Sequence, residues 1–220
     1  MVETSDPNSL AAPRWQRRPE DRPEEILDAA VAVFGDQGYA RAKLEDVARR
    51  AGVSKGTLYL YFASKEELFR EMVRTRIVPT VEEGEVAFEQ WTGTSRQLLE
   101  DSVKRYWRVM TGERTACMVR LVKAEMHQFP ELGHFYFDEV ILRSRRLLTA
   151  VLQRGVASGE FRAGVVEHGS RIIPGLVAQM AESRRYFNTF DPDARPDAEL
   201  VRAIVDFVVH GVAAAPSGAA

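Results

Sequence analysis

From residue 23 onward, apolar side chains recur at three- and four-residue intervals, and glycine, proline or serine breaks the runs. That is the period of helices buried along one face, and no stretch shows the strict alternation of a strand. Pro23 opens a first helix, Glu24 and Glu25 complement its positive end, and Ile26, Ala30, Val33 and Phe34 form its buried face up to Gly38. A second, short helix carries Leu44, Val47, Ala48 and Ala51 and stops at Gly52. A third starts after Val53, with Ser54 as its N-cap, and runs through Leu58 to about Leu60. Ser64 caps a fourth, directed towards Ile77, with Pro79 as its end or a kink. Further helices are predicted over 95–110, 115–128, 131–157, 165–187 and 197–212, and Pro174 predicts a kink or a break in the fourth of these. The expected fold class is all-α: a three-helix head followed by a helical bundle.

Within this pattern, 44–62 reads LEDVARRAGVSKGTLYLYF. A helix-turn-helix needs two short helices crossing steeply through a tight turn. Ala48 is small where the helices cross, Gly52 allows a left-handed turn, and Val53 anchors it, with Val47, Ala51 and Leu58 as the core between them. The residues left outside this core then carry the chemistry. Ser54, Lys55, Gly56, Thr57 and Tyr59 fall on the first turns of the third helix, where hydroxyls, an ammonium and the helix N-terminus suit phosphate and base edges. Gly56 permits close approach to DNA. Tyr61 fits either a phosphate contact or a half-buried place in the head. Lys65, at the start of the fourth helix, is a candidate grip on the flanking backbone.

This region resembles the TetR family of transcriptional regulators. The resemblance rests on ILDAAVAVFGDQGY (26–39), LEDVARRAGVSKGTLYLYF and SKEELF (64–69), in this order and spacing, within a stretch from Arg22 to about Val73. It implies a homodimer with two DNA-reading heads on a pseudo-palindromic double-stranded operator, and a helical C-terminal domain that binds a small-molecule effector and dimerises through its last two long helices. On this chain the implied recognition helix is 54–60, and the implied DNA-binding set is Arg41, Lys43, Ser54, Lys55, Gly56, Thr57, Tyr59, Tyr61 and Lys65. There are two departures. Ala42 stands where the family often caps the second helix with Thr, leaving Lys43 to replace a hydroxyl contact electrostatically. Leu60 interrupts the family's frequent Tyr-Tyr-His and is left out of the contact set.

The larger part, beyond residue 80, is rich in bulky apolar residues. Some are expected to line an apolar pocket between helices, where bundle ligands sit. The candidates are Trp107, Met110, Met118, Met126 and Ile173, with His127 or Gln179 as polar anchors. Two apolar stripes, Ile172–Leu176–Met180 and Val201–Val205–Val208–Val212, fit either a monomer core or a dimer interface.

Charge refines this picture. The chain of 220 residues has a net charge of −2, which taken alone argues against a nucleic-acid partner. The average hides unlike parts. Between Arg41 and Lys65 six bases face two acids, an arm over 14–22 has four arginines against two acids, and the remainder carries −8. Phosphate responds to the local field rather than to the chain total. The expected organisation is a tail with a basic arm over 1–22, a DNA-binding domain over 23–70, a ligand-binding and dimerisation domain over 71–213 and a mobile tail over 214–220.

Other classes find less support. Glu131-Leu132-Gly133-His134 is one Glu-x-x-His without the second that a di-metal bundle needs, and nucleophile, phosphate-loop and dinucleotide motifs are missing. No catalytic residue, metal or cofactor is therefore expected. A lone Cys117, an acidic N-terminus and the lack of a long apolar run point to a cytoplasmic protein without a membrane partner. The alternatives are a helical ligand-binding or scaffold protein without DNA function and, behind it, a helical-bundle metal enzyme.

Overall fold

A computed structural model describes residues 22–215. The expected polar tail, nearly all of the arginine arm and the last five residues lie outside the described residues. The elements are α1 (Arg22–Gln37), α2 (Leu44–Ala51), α3 (Lys55–Tyr61), α4 (Lys65–Arg76), α5 (Val78–Glu89), α6 (Ser95–Thr111), α7 (Glu113–Glu125), α8 (Pro130–Tyr136), a π-helical segment (Phe137–Leu142), α9 (Arg143–Ala157), α10 (Val165–Phe187) and α11 (Asp197–Val212). The fold is all-α.

Three details depart from the sequence reading. Pro79 does not simply stop α4. It sits in the first turn of a new helix, α5, where a missing N–H costs nothing. The helix expected over 131–157 is interrupted by the π segment, which apolar spacing does not signal because it inserts one wider turn in an otherwise continuous run. Pro174 is carried inside an unbroken α10.

The turns are fixed by the residues that suggested them. Gly52 has φ 67°, a conformation a Cβ would strain, and the Val53 N–H donates to the Ala48 carbonyl to close the end of α2. Ser54 Oγ accepts the Thr57 N–H at 3.0 Å and Ser64 Oγ accepts that of Glu67 at 3.0 Å, so both following helices start on a side-chain cap. The start of α6 is clasped from across the bundle: the Glu160 carboxylate accepts the backbone N–H groups of Ser95 and Arg96, each at 3.0 Å.

Packing divides the molecule differently from the chain order. One apolar cluster joins α1–α4 to α7, α8 and the π segment: Phe34, Leu58, Phe69 and Met72 are continuous with Met118, Leu121, Leu132 and Phe135. The other joins α6, α9, α10 and α11 through Leu99, Trp107, Leu152, Val177 and Val208. The expected boundary at residue 70 is therefore not a packing boundary. The tail expected to move over 214–220 is held at its start: Arg162 N–H donates to Val212 O just before it, and Ala214 N–H to Glu160 O, each at 3.0 Å.

Candidate DNA-binding face and ligand cavity

α3 buries only Leu58. Ser54, Lys55, Gly56, Tyr59, Leu60 and Tyr61 are exposed around it, Thr57 is half-buried, and Arg41 and Lys43 are exposed beside the start of α2. The hydroxyls of Ser54 and Thr57 lie 2.8 Å apart. Lys55 Nζ pairs with Glu45 Oε1 at 2.5 Å, which holds the Glu45 carboxyl below and the Lys55 ammonium above their ordinary values. Both partners are solvent-exposed, so a phosphate exchanges for Glu45 at little cost. Arg41 Nε donates to the Gln37 carbonyl at 2.9 Å, and the side chain is exposed. Leu60, left out of the contact set on sequence grounds, is 84% exposed on this same helix. An apolar side chain in that position suits a thymine methyl rather than a phosphate.

Lys65 stands apart from the expected phosphate contacts. Its ammonium donates to the carbonyls of Tyr39 at 2.8 Å, Ala42 at 3.2 Å and Ala40 at 3.3 Å, and lies 4.4 Å from the centre of the Tyr39 ring. Burial lowers its pKa. Three carbonyls take its three hydrogens, so Lys65 ties α4 to the α1–α2 turn.

Sequence reasoning missed the joint around Tyr39. The Tyr39 N–H donates to Glu125 Oε1 at 2.9 Å, which brings the end of α7 onto the turn after α1. Its ring meets Phe34, Phe69 and Phe129 edge-on at 5.4, 5.5 and 4.9 Å, and burial, followed by the charges of Glu66 and Glu131, pushes its hydroxyl up to about 12. On the other side of α4, Arg70 and Arg74 lie over the Phe135 ring at 5.1 and 5.3 Å. Gly38 and Tyr39 belonged to the recognised motif, but nothing in the sequence paired them with Glu125.

Between the two packing clusters lies a cavity of about 470 Å³, with walls from α5, α6, α7, α8, the π segment, α9 and α10. Met110, Met126 and Ile173 line it. Trp107 does not: it is buried in the second cluster, while its neighbour Tyr106, about 100° round the helix, faces the cavity. Met118 packs into the head-side cluster, and His127 and Gln179 are exposed away from the cavity wall. Pro174 reaches the wall, and so does Ser170, whose carbonyl the proline leaves without its helical donor.

The last two long helices need a correction as well. Val205, Val208 and Val212 are buried within the second cluster, so they are core of this chain rather than a free face. The outward apolar residues include Ile172 (64% exposed) on α10 and Phe207 (71%) on α11, with Leu176, Met180 and Val201 half-buried beside them and Tyr186 and Phe187 exposed at the end of α10. A stripe of valines suits a core and an interface equally, so the stripe alone did not distinguish the inner from the outer side. Glu131 and His134 are both exposed on α8, and no group of three or more metal-type ligands occurs among the described residues. Nor is any described helix long and apolar enough to cross a membrane.

Residues 26–72 match the family described as bacterial regulatory proteins, tetR family, and residues 97–214 match the C-terminal domain of AefR-like transcriptional repressors. The chain belongs to the TetR family. It is similar to the fatty acid metabolism regulator protein of Bacillus subtilis, with 26% identity over 68% of this chain and 75% of that protein. Its similarity to the HTH-type transcriptional activator FasR of Mycolicibacterium smegmatis is 29% identity over 92% and 89%. The fold matches the crystal structure of FadR from Bacillus subtilis in complex with stearoyl-CoA, with TM-score 0.66 and 23% identity over 86% of this chain and 98% of that one. As a TetR-family member the protein is a DNA-binding transcriptional regulator, with α3 as the second helix of its helix-turn-helix.

Proposed function

We propose that the protein is a homodimeric repressor that leaves its operator when a small, largely apolar molecule occupies the cavity. The observation that carries this reading is the position of the cavity, on the seam between the cluster that contains the DNA-reading head and the cluster that contains α10 and α11. A ligand in that seam acts on the orientation of one cluster against the other. It releases DNA provided that it binds the DNA-incompetent arrangement more tightly. The lever is then the head together with α4, α7 and α8, which share one core, rather than α4 alone.

On the DNA side, Arg41, Lys43, Ser54, Lys55, Gly56, Thr57, Tyr59 and Tyr61 form the contact set, with Lys65 supporting it from within. Each α3 of the dimer enters a major groove, with half-sites about 34–36 Å apart or a multiple of that. The outward faces of α10 and α11 supply the dimer interface, through Ile172, Leu176, Met180 and Phe207. The AefR-like repressor match supports repression, and the stearoyl-CoA bound to FadR supports an acyl-type apolar occupant.

A mobility-shift titration against the gene's own upstream DNA, across a salt series and with and without a long-chain acyl compound, tests the whole reading. Specific binding relieved by the compound is expected. A chain that binds the compound and no upstream fragment at any salt concentration is instead a ligand-binding protein without DNA function. Phe207→Glu combined with Ile172→Glu is expected to give monomers by analytical ultracentrifugation and to lose operator binding; a dimer that persists moves the interface elsewhere.

A further inference from the structure

The cavity walls differ in charge from the domain that surrounds them. Outside the head and arm the chain is acidic, yet the wall carries four bases, Arg105, Lys123, Arg145 and Arg171, against one acid, Asp101. Two of the bases are neutralised locally: Arg105 pairs with Asp101 at 2.6 Å, and Lys123 with Glu182. The other two are not. Arg145, on α9, lies over the Phe137 ring at 5.6 Å and has no carboxylate partner among the described residues; Arg171, on α10, has none either and stands at the solvent-facing rim. A stacked guanidinium keeps its N–H groups free in its own plane, the geometry that receives a carboxylate or phosphate edge.

A second observation points the same way. Tyr136 is only 8% exposed and lines the cavity, and its hydroxyl has no hydrogen-bond partner among the described residues. That oxygen is not fully enclosed, so it opens to the cavity, where an acceptor on an occupant can reach it. Burial, reinforced by the neighbouring Tyr106, raises its pKa, so it stays protonated and acts as a donor. The cavity therefore presents an apolar body, one unpaired O–H donor and two unneutralised guanidinium groups.

We propose that the effector is an amphipathic anion: an apolar chain in the seam, an oxygen acceptor at Tyr136, and an anionic head held by Arg145 and Arg171. This rests on the effector role proposed for the cavity and specifies its chemistry. A free long-chain carboxylate and the thioester of such a chain with a phosphorylated carrier share these features, and the test separates them.

The test is calorimetric titration of the full chain with dodecanoate, dodecanoyl-CoA and methyl dodecanoate, followed by the same ligands in the mobility-shift assay. At least one of the two anions is expected to bind about tenfold or more tightly than the uncharged ester, and which one does so identifies the head group. Arg145→Gln with Arg171→Gln is expected to erase that preference and leave ester binding in place, whereas Tyr136→Phe is expected to weaken all three ligands. Equal binding of the anions and the ester overturns the proposal, and so does a preference that survives in the double variant. Anion binding as described that fails to release operator DNA leaves this inference standing and removes the effector reading. A chain that binds none of the three overturns both.

Discussion

The two packing clusters meet different demands. In the head-side cluster Phe34, Leu58, Leu68, Phe69 and Met72 are almost completely enclosed, and the turns that follow α1, α2 and α3 are fixed by a cap or a glycine. The second cluster is as apolar, and Leu98, Val103, Val151 and Ile173 turn one side to the cavity, as do Ile77, Val81, Val122, Tyr136 and Val140 at the cavity edge of the head-side cluster, whereas no residue of α1–α3 does. Close packing holds a side chain in one position, and DNA reading needs such fixed geometry. A wall beside a cavity has partners on one side only and gives way more easily. The difference locates rigidity in the part that reads DNA and compliance in the part that senses a ligand.

The largest effect should come from breaking the rigid side. Phe69 is 1% exposed and its ring meets Tyr39, so Phe69→Ala should cost about 3–5 kcal/mol. Ile173→Ala, on the cavity wall, should cost only about 2 kcal/mol, because part of that side chain already lacks neighbours. Chemical denaturation of both variants checks the comparison. Equal losses would mean that the two clusters are equally tight.

The next effect separates two lysines that look alike in sequence. Lys65→Ala leaves three carbonyls without their charged donor and should cost about 1.5–3 kcal/mol of stability. DNA affinity should fall with the loosened turn, while the salt dependence of binding stays near its original slope. Lys43→Ala should do the reverse: stability unchanged, and the slope of log affinity against log salt reduced by about one. A reduced slope in Lys65→Ala would return that ammonium to the phosphate contacts.

These residues also show how far sequence carries. The helix-turn-helix was legible almost completely, because its turn, crossing point and core are neighbours in the chain and each demands a particular residue type. Lys65 illustrates the limit: its position marked it as important, but only the fold shows that its hydrogens go to Tyr39, Ala40 and Ala42. The cavity was less legible still. Trp107 and Met118 were chosen for size and apolarity, properties shared by core and wall alike. The residues that set the wall apart, Arg145, Arg171 and Tyr136, look like ordinary surface or core positions until three helices bring them to one cavity. The π segment and α5 escaped for a related reason, since a wide turn and a proline in a first turn leave the apolar period nearly unchanged.

A smaller effect concerns the link between the clusters. Glu125 sits at the end of α7 beside Met126, which lines the cavity, and its carboxylate holds the Tyr39 N–H of the head. Glu125→Ala should cost about 1.5 kcal/mol of stability, at the low end for a bond to a charged, partly exposed group. Its more telling effect should be on coupling: effector affinity unchanged, with less operator DNA released at saturation. Release that is unaltered would place the coupling in the contacts of Phe135 with Arg70 and Arg74 instead.

The smallest effect tests whether the second cluster, compliant at the cavity, is clasped at its far end. Burial alone would raise the Glu160 pKa, but the N–H groups of Arg96 and Ser95, with the Ser158 hydroxyl, hold it below the ordinary carboxylate value. A carboxyl depressed in the folded state stabilises the fold above its unfolded pKa, about 4.3, and that contribution is lost as pH falls through the folded value. Glu160→Gln should therefore melt slightly below the parent chain at pH 7, and the gap should close as the pH is lowered beneath about 4. The group is half-buried and still reached by solvent, so screening keeps the gap small. If the gap stays constant with pH, the ionised carboxylate contributes nothing beyond what an amide oxygen at the same place supplies. The start of α6 would then be fixed by its Thr94–Gln97 capping box alone, and the far end of the second cluster would be as compliant as its cavity wall.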